Sequence, residues 1–250
     1  MLPIIKPLTQ TERQLVGETW AARAESEVRA SQRFGSLASA LRAHSATPTV
    51  VGLCDRAVKD EERHVGLCST LAKEFGVIPQ VEGIQRPGPL APMELPIRAR
   101  VLYEVVAICC VNETINATLL GHIYERAKWP SVRLTAHSLV GDEIWHSRMG
   151  WAHLDAEQSE IGVEWLSDHI VPLLERTGAH EIFNAQRSER EAPHMADYGE
   201  LNYATRTTLF RDIVNTVILP GFESFGIDVT PGRLWIKRLA EAAGLDDATQ

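Results

Sequence analysis

One short word occurs twice in this chain and constrains it more than any other feature: Asp60-Glu61-Glu62-Arg63-His64 and Asp142-Glu143-Ile144-Trp145-His146. Both read Asp-Glu-x-x-His. On an α-helix, residues three apart project from the same side, about one turn apart. Each word therefore offers a carboxylate and an imidazole to one point. Both words lie in stretches with the periodicity of long amphipathic helices.

Two further acids stand at matched positions. Glu27 precedes Glu61 by 34 residues, and Glu113 precedes Glu143 by 30. The order is Glu, Glu-x-x-His, Glu, Glu-x-x-His. Glu27 falls on the apolar stripe Leu15, Trp20, Ala24, Ala30, Phe34, Leu37 and Leu41 of a helix expected from a Thr9/Glu12 capping box to about His44. A carboxylate on such a stripe must be ligated, paired or protonated. Glu61 falls on the stripe Val51, Cys54, Val58, Val65, Cys68, Ala72 and Phe75 of a second helix, from Thr47-Pro48 to about Phe75. Glu113 shares its stripe with Leu102, Val106, Cys109, Asn116, Ala117 and Leu120 on a third helix, from about Ile97 to Ala127. Glu143 and His146 share theirs with Leu139, Gly150 and Leu154 on a fourth, from Pro130 to about Glu157. A Pro- and Gly-rich crossing, Val77 to Pro96, separates the two pairs.

The spacing predicts an all-α chain. Residues 9–157 form a four-helix bundle with one long crossover, and residues 158–250 a helical C-terminal extension packed on it. In the extension, Ile161 to Leu174 reads as a fifth helix. Thr177 to Glu191 is helix-compatible, and Pro193 to Leu219 is helical up to a stop at Pro220-Gly221. A short helix near Arg233 to Ala243 closes the chain. The extension is free to cover the site, to build a homodimer contact or to bind a partner.

Composition removes several classes. A formal charge of -8 gives no support to general nucleic-acid binding. The four cysteines, Cys54, Cys68, Cys109 and Cys110, form no Cys-x-x-Cys pair, which argues against a zinc knuckle or a rubredoxin-type centre. Reduced cysteines in helix interiors suit a cytoplasmic protein. No signal peptide and no membrane-length apolar stretch is recognised. No Gly-rich phosphate loop points to a nucleotide cofactor.

Four Glu and two His on four helices suit two ions of iron, or of manganese or a Mn/Fe mixture. Two Fe2+ balance four carboxylates, so the reduced site is near neutral, as a dry core requires. Glu61 and Glu143, each one turn before a His, are placed to bridge. Glu27 and Glu113 become terminal ligands, and His64 and His146 each cap one ion. Metal-bound imidazoles donate their other N–H to a carboxylate. Asp60 and Asp142 suit that task, in a crossed arrangement of Asp60 with His146 and Asp142 with His64. No catalytic residue beyond the ligands is singled out. His44, His122, His137, His153, His169 and His180 lack a partner in register, while His194 opens the extra helical region and is placed to approach the bundle. Tyr103, Tyr124 and Trp145 read as packing or surface aromatics before electron relays.

With these residues in place, the chain resembles the ferritin-like di-iron carboxylate superfamily over about residues 12–157. The stretch Glu27-Val28-Arg29-Ala30-Ser31-Gln32-Arg33-Phe34 looks like the first metal-binding helix of rubrerythrin-type proteins. Within the superfamily both Asp-Glu-x-x-His words resemble the di-iron oxygenases and oxidases, the arylamine N-oxygenases among them. Those N-oxygenases carry an extra His one turn before the last bridging Glu. Leu139 stands there in this chain, so the four-Glu, two-His set is expected instead. The resemblance implies a di-iron oxidoreductase that activates O2 to oxidise or oxygenate a small organic substrate, served by an electron-transfer partner. Two alternatives accompany it: a ferroxidase or peroxide-scavenging protein, and a non-enzymatic helical protein whose acids sit in ion-pair networks.

Overall fold

The chain is all-α, with no strand among the described residues. The computed structural model describes residues 5–44, 46–179, 182–183 and 191–244. Helix α1 spans Gln10–Ala43. Its start is fixed reciprocally: Thr9 N–H donates to Glu12 Oε2 at 2.8 Å, and Glu12 N–H to Thr9 Oγ1 at 3.3 Å. Helix α2 spans Pro48–Glu74, capped by the Thr47 hydroxyl with Pro in the first turn. It ends at Gly76, whose φ of 90° lies in the left-handed region that glycine adopts without strain. An irregular segment then leads to α3, Ile97–Arg126. Helix α4 spans Pro130–Ile161.

The sequence pattern did not foresee the π turns. Val106–Glu113, in the middle of α3, is π-helical. Such a turn takes one more residue per hydrogen bond than an α turn and re-aims the side chains that follow. Here it ends on Glu113. Helix α3 also passes the length and apolarity test of a membrane-crossing helix, against the expectation that no stretch would. Most of its apolar window is buried inside the fold, so a core helix accounts for it equally.

Beyond α4 the helices are short. A 3-10 segment, Glu164–His169, runs into α5, Ile170–Leu174, and then a π turn, Glu175–Ala179. Of the Thr177–Glu191 segment, residues 180, 181 and 184–190 lie outside the described residues, His180 among them. Pro193–Tyr198 is 3-10. Helix α6, Tyr203–Ile213, continues through a π turn, Val214–Ile218, into α7, Leu219–Ser224. The expected stop at Pro220 is thus corrected. Pro220 sits in the first turn of α7, where its missing N–H is tolerated. Helix α8 spans Thr230–Ala242.

The chain divides into two compact units. The first comprises Met1–Pro89, Leu120–Asp142 and Ser188–Asn202, with α1 packed along α2. Its core holds Leu15, Trp20, Leu71, Phe75, Leu120 and Leu139. The Pro193–Tyr198 turn is pinned there: Trp20 Nε1–H donates to Tyr198 O at 3.4 Å, and Tyr198 meets Phe75 edge-on at 6.0 Å. The second comprises Leu90–Leu119, Glu143–Arg187 and Tyr203–Gln250. Its core gathers Leu102, Val106, Cys110, Leu173, Phe210 and Phe222. In it, α5 and the turn after it pack directly on the π segment of α3.

Candidate metal centre

Each long helix buries the acid that its periodicity placed inward. Glu27 is 3% exposed, Glu61 1%, Glu113 1% and Glu143 0%, with His64 at 0% and His146 at 4%, so all six sit out of bulk water. Burying charged groups this completely is costly unless cations or protons meet them.

On α2, the one-turn spacing brings His64 Nδ1 to 3.3 Å from Glu61 Oε2. The other ring nitrogen, Nε2, lies 3.2 Å from Asp142 Oδ2. A proton on Nε2 donated to that carboxylate leaves the Nδ1 lone pair on the Glu61 side. That is the tautomer a cation needs. Asp142 is itself gripped by arginines. Arg63 Nη2 makes a short contact to Oδ2, and Arg56 Nη2 lies 3.9 Å from Oδ1. Arg63 is steadied by donating to Ser138 Oγ at 2.7 Å. Asp60 Oδ2 lies 3.4 Å from Arg56 Nε, one turn away on α2. On α1, Arg23 Nη1 stands 3.8 Å from Glu27 Oε1.

On α4 the same geometry recurs, with His146 Nδ1 3.1 Å from Glu143 Oε2. Glu113 leaves the end of the π turn between two amides. Asn112 and Asn116 each donate to one of its oxygens at 3.4 Å. One residue further, Thr114 Oγ1 lies 2.7 Å from Ser147 Oγ, tying α3 to α4.

The ligand atoms converge. One atom each from Glu27, Glu61, His64 and Glu143 lie within 4.8 Å of one another, as do one each from Glu61, Glu113, Glu143 and His146. Glu61 and Glu143 belong to both sets. Every set mixes carboxylate oxygen with imidazole nitrogen, a donor chemistry that fits iron, manganese or zinc. The Cys54 and Cys110 thiolates do not compete. Burial pushes the Cys54 thiol up to about 12 and raises that of Cys110, so both stay protonated. The buried acidic and histidine cluster can hold metal.

Other sequence candidates lie apart from this cluster. His194 Nε2 is 3.3 Å from Glu12. His153 is buried, and desolvation holds it below the usual histidine range, with Glu157 opposing and Arg98 adding to the shift. Tyr103 is fully buried and meets His169 edge-on at 5.6 Å, whereas Trp145 is exposed under Arg148. Sequence reasoning missed Arg23, Arg56, Arg63, Asn112 and Asn116 around the acids. Arg63 had a visible signal, standing next to His64 inside the first word where Trp145 stands in the second. No family model matches the chain, and no curated protein matches it.

Proposed function

We propose that the chain is a ferritin-like di-iron oxidoreductase that activates O2 to oxidise or oxygenate a small organic molecule. The observation that carries this reading is the pair of buried ligand sets sharing Glu61 and Glu143. Two overlapping sets with two common carboxylates, and one His in each, suit a pair of ions. Residues 9–157 provide the bundle and 158–250 the extension.

An iron pair, when bound, supplies two electrons to O2 at one place. The chain's own residues do the rest. Glu61 and Glu143, common to both ligand sets, would hold both ions, and Glu27 and Glu113 would each serve one. Asp142 fixes the His64 tautomer and ring orientation, and Arg63 fixes Asp142. Asp60 is assigned the corresponding duty toward His146. Burial of all six ligands keeps bulk water from the reacting centre. With no flavin or haem motif in the chain, electrons come from a separate electron-transfer protein.

The test is metal loading followed by oxygen uptake. Protein expressed in iron-rich medium is expected to hold about two iron ions per chain. Glu61→Ala and Glu143→Ala should each lower the content of both positions, because each serves both sets. Reduced protein mixed with O2 should consume it once, and turn over only with a reductant and an organic substrate. Steady oxidation of Fe2+ alone would assign the centre to iron handling instead. Iron content near zero in wild type would sink the proposal.

A further inference from the structure

We propose that Gly150 is a positioning residue for the Glu113–His146 half of the metal centre: its missing side chain lets the π turn of α3 come close enough for those two ligands to share a cation. The proposal rests on the metal-centre reading above.

Gly150 is buried inside α4, a long regular helix where glycine is disfavoured relative to alanine. The helix therefore keeps a residue that weakens it, and the packing shows why. A β-carbon at position 150 would stand 2.5 Å from Cys109 Cβ, 3.0 Å from the Cys110 backbone nitrogen and 3.0 Å from Cys110 Sγ. Two of those three atoms are stiff: one is backbone and one is the root of a side chain. Contact at ordinary distance needs about 3.5–4.0 Å between carbons. A methyl group would thus force the helices roughly an ångström apart at this level.

The register makes the displacement matter. Gly150 lies one turn beyond His146, and Cys109 and Cys110 lie one turn before Glu113. Thr114 and Ser147, next in sequence to Glu113 and His146, meet at 2.7 Å. The two helices are antiparallel along this line. Gly150 against Cys109–Cys110 is the contact next to the ligand pair. Metal–ligand distances tolerate about 0.2 Å, so a shift of that size at the neighbouring turn is not absorbed. Glycine at 150 and the π turn ending on Glu113 act on the same pair. The turn aims the carboxylate, and the glycine sets how near it comes to His146.

The experiment is titration of metal-free protein with Co2+, read by visible absorption and by equilibrium dialysis, with far-UV circular dichroism as the fold control. Wild type is expected to take up about two Co2+ per chain. Gly150→Ala should keep its helicity but take up one, or bind the second at least tenfold more weakly. The double variant Cys109→Gly with Gly150→Ala removes the closest of the three approaches, at 2.5 Å, and should bind the second ion more tightly than Gly150→Ala alone. Gly52→Ala, at an exposed glycine of α2 with nothing within 4 Å of an added β-carbon, should leave uptake unchanged. Two ions at wild-type affinity in Gly150→Ala would overturn the assignment. So would a double variant that binds the second ion no more tightly than Gly150→Ala, since spacing would then not be what the glycine supplies. Failure of wild type to bind Co2+ at all would instead overturn the metal-centre reading, before any variant is compared.

Discussion

At the scale of single residues, the His64 side chain does two jobs with two nitrogens. Nε2 faces Asp142 at 3.2 Å and Nδ1 faces Glu61 at 3.3 Å. Asp142→Asn removes the charge that favours a proton on Nε2 and loosens the Arg63 grip. Metal affinity is expected to fall about 10–100-fold, measured by competition with a chelator, while the melting temperature of the metal-free protein changes little. Arg63→Gln should cost less, because its side chain is 44% exposed and a solvated ion pair is weak. His153 gives a pH prediction of opposite character. Burial lowers its affinity for protons, so the unfolded chain binds more protons there than the folded one. Its contribution to stability is complete above the ordinary value of 6.5 and is lost as pH falls below it. Thermal melts between pH 7 and 5 should decline, and His153→Gln should make the decline shallower.

At the scale of elements, helix periodicity carried most of what could be read in advance. Glu27, Glu61, Glu113 and Glu143 each sat on an apolar stripe, and each is buried. The caps at Thr9 and Thr47 were equally legible, because a capping box and a first-turn proline are local chemistry. The π turn of α3 was not. An α-period stripe through Val106, Cys109 and Glu113 fits a π turn nearly as well, and all of Val106–Val111 is buried, so no polar face marks the change of pitch. Pro220 misled for a related reason. A proline signals a stop only where the helix ahead of it is regular, and here a π turn precedes it. The Arg63 grip on Asp142 depends on which helices are neighbours, information that periodicity does not contain. One element-level prediction is independent of the metal. Gly52 is exposed inside α2, with room for a β-carbon, so Gly52→Ala should stabilise the fold by about 0.5–1 kcal/mol, seen as a shift in denaturant midpoint at constant slope.

At the scale of the whole molecule, the buried acids would tie stability to any metal they hold. Glu27, Glu61, Glu113 and Glu143 bring four carboxylates into two ligand sets that share members within 4.8 Å. Without cations, like charges at that spacing in a dry interior must take up protons or push apart. Two divalent ions, the occupancy proposed above, would balance the charges and turn the repulsion into ligation. An ion that binds only the folded chain stabilises it by about 2.7 kcal/mol at a hundredfold excess over its dissociation constant. Chelation should therefore lower the melting temperature at neutral pH, and Mn2+ or Zn2+ should restore it in a concentration-dependent way. The two ions need not contribute equally, but removing a shared ligand should abolish both contributions. Glu143→Ala is the decisive variant. Its melting temperature should no longer respond to added metal, and it should equal or exceed that of metal-free wild type, because one of the repelling charges is gone. A variant that still gains stability from Mn2+ as wild type does would show that Glu143 is not a shared ligand, and that the two sets act as separate sites.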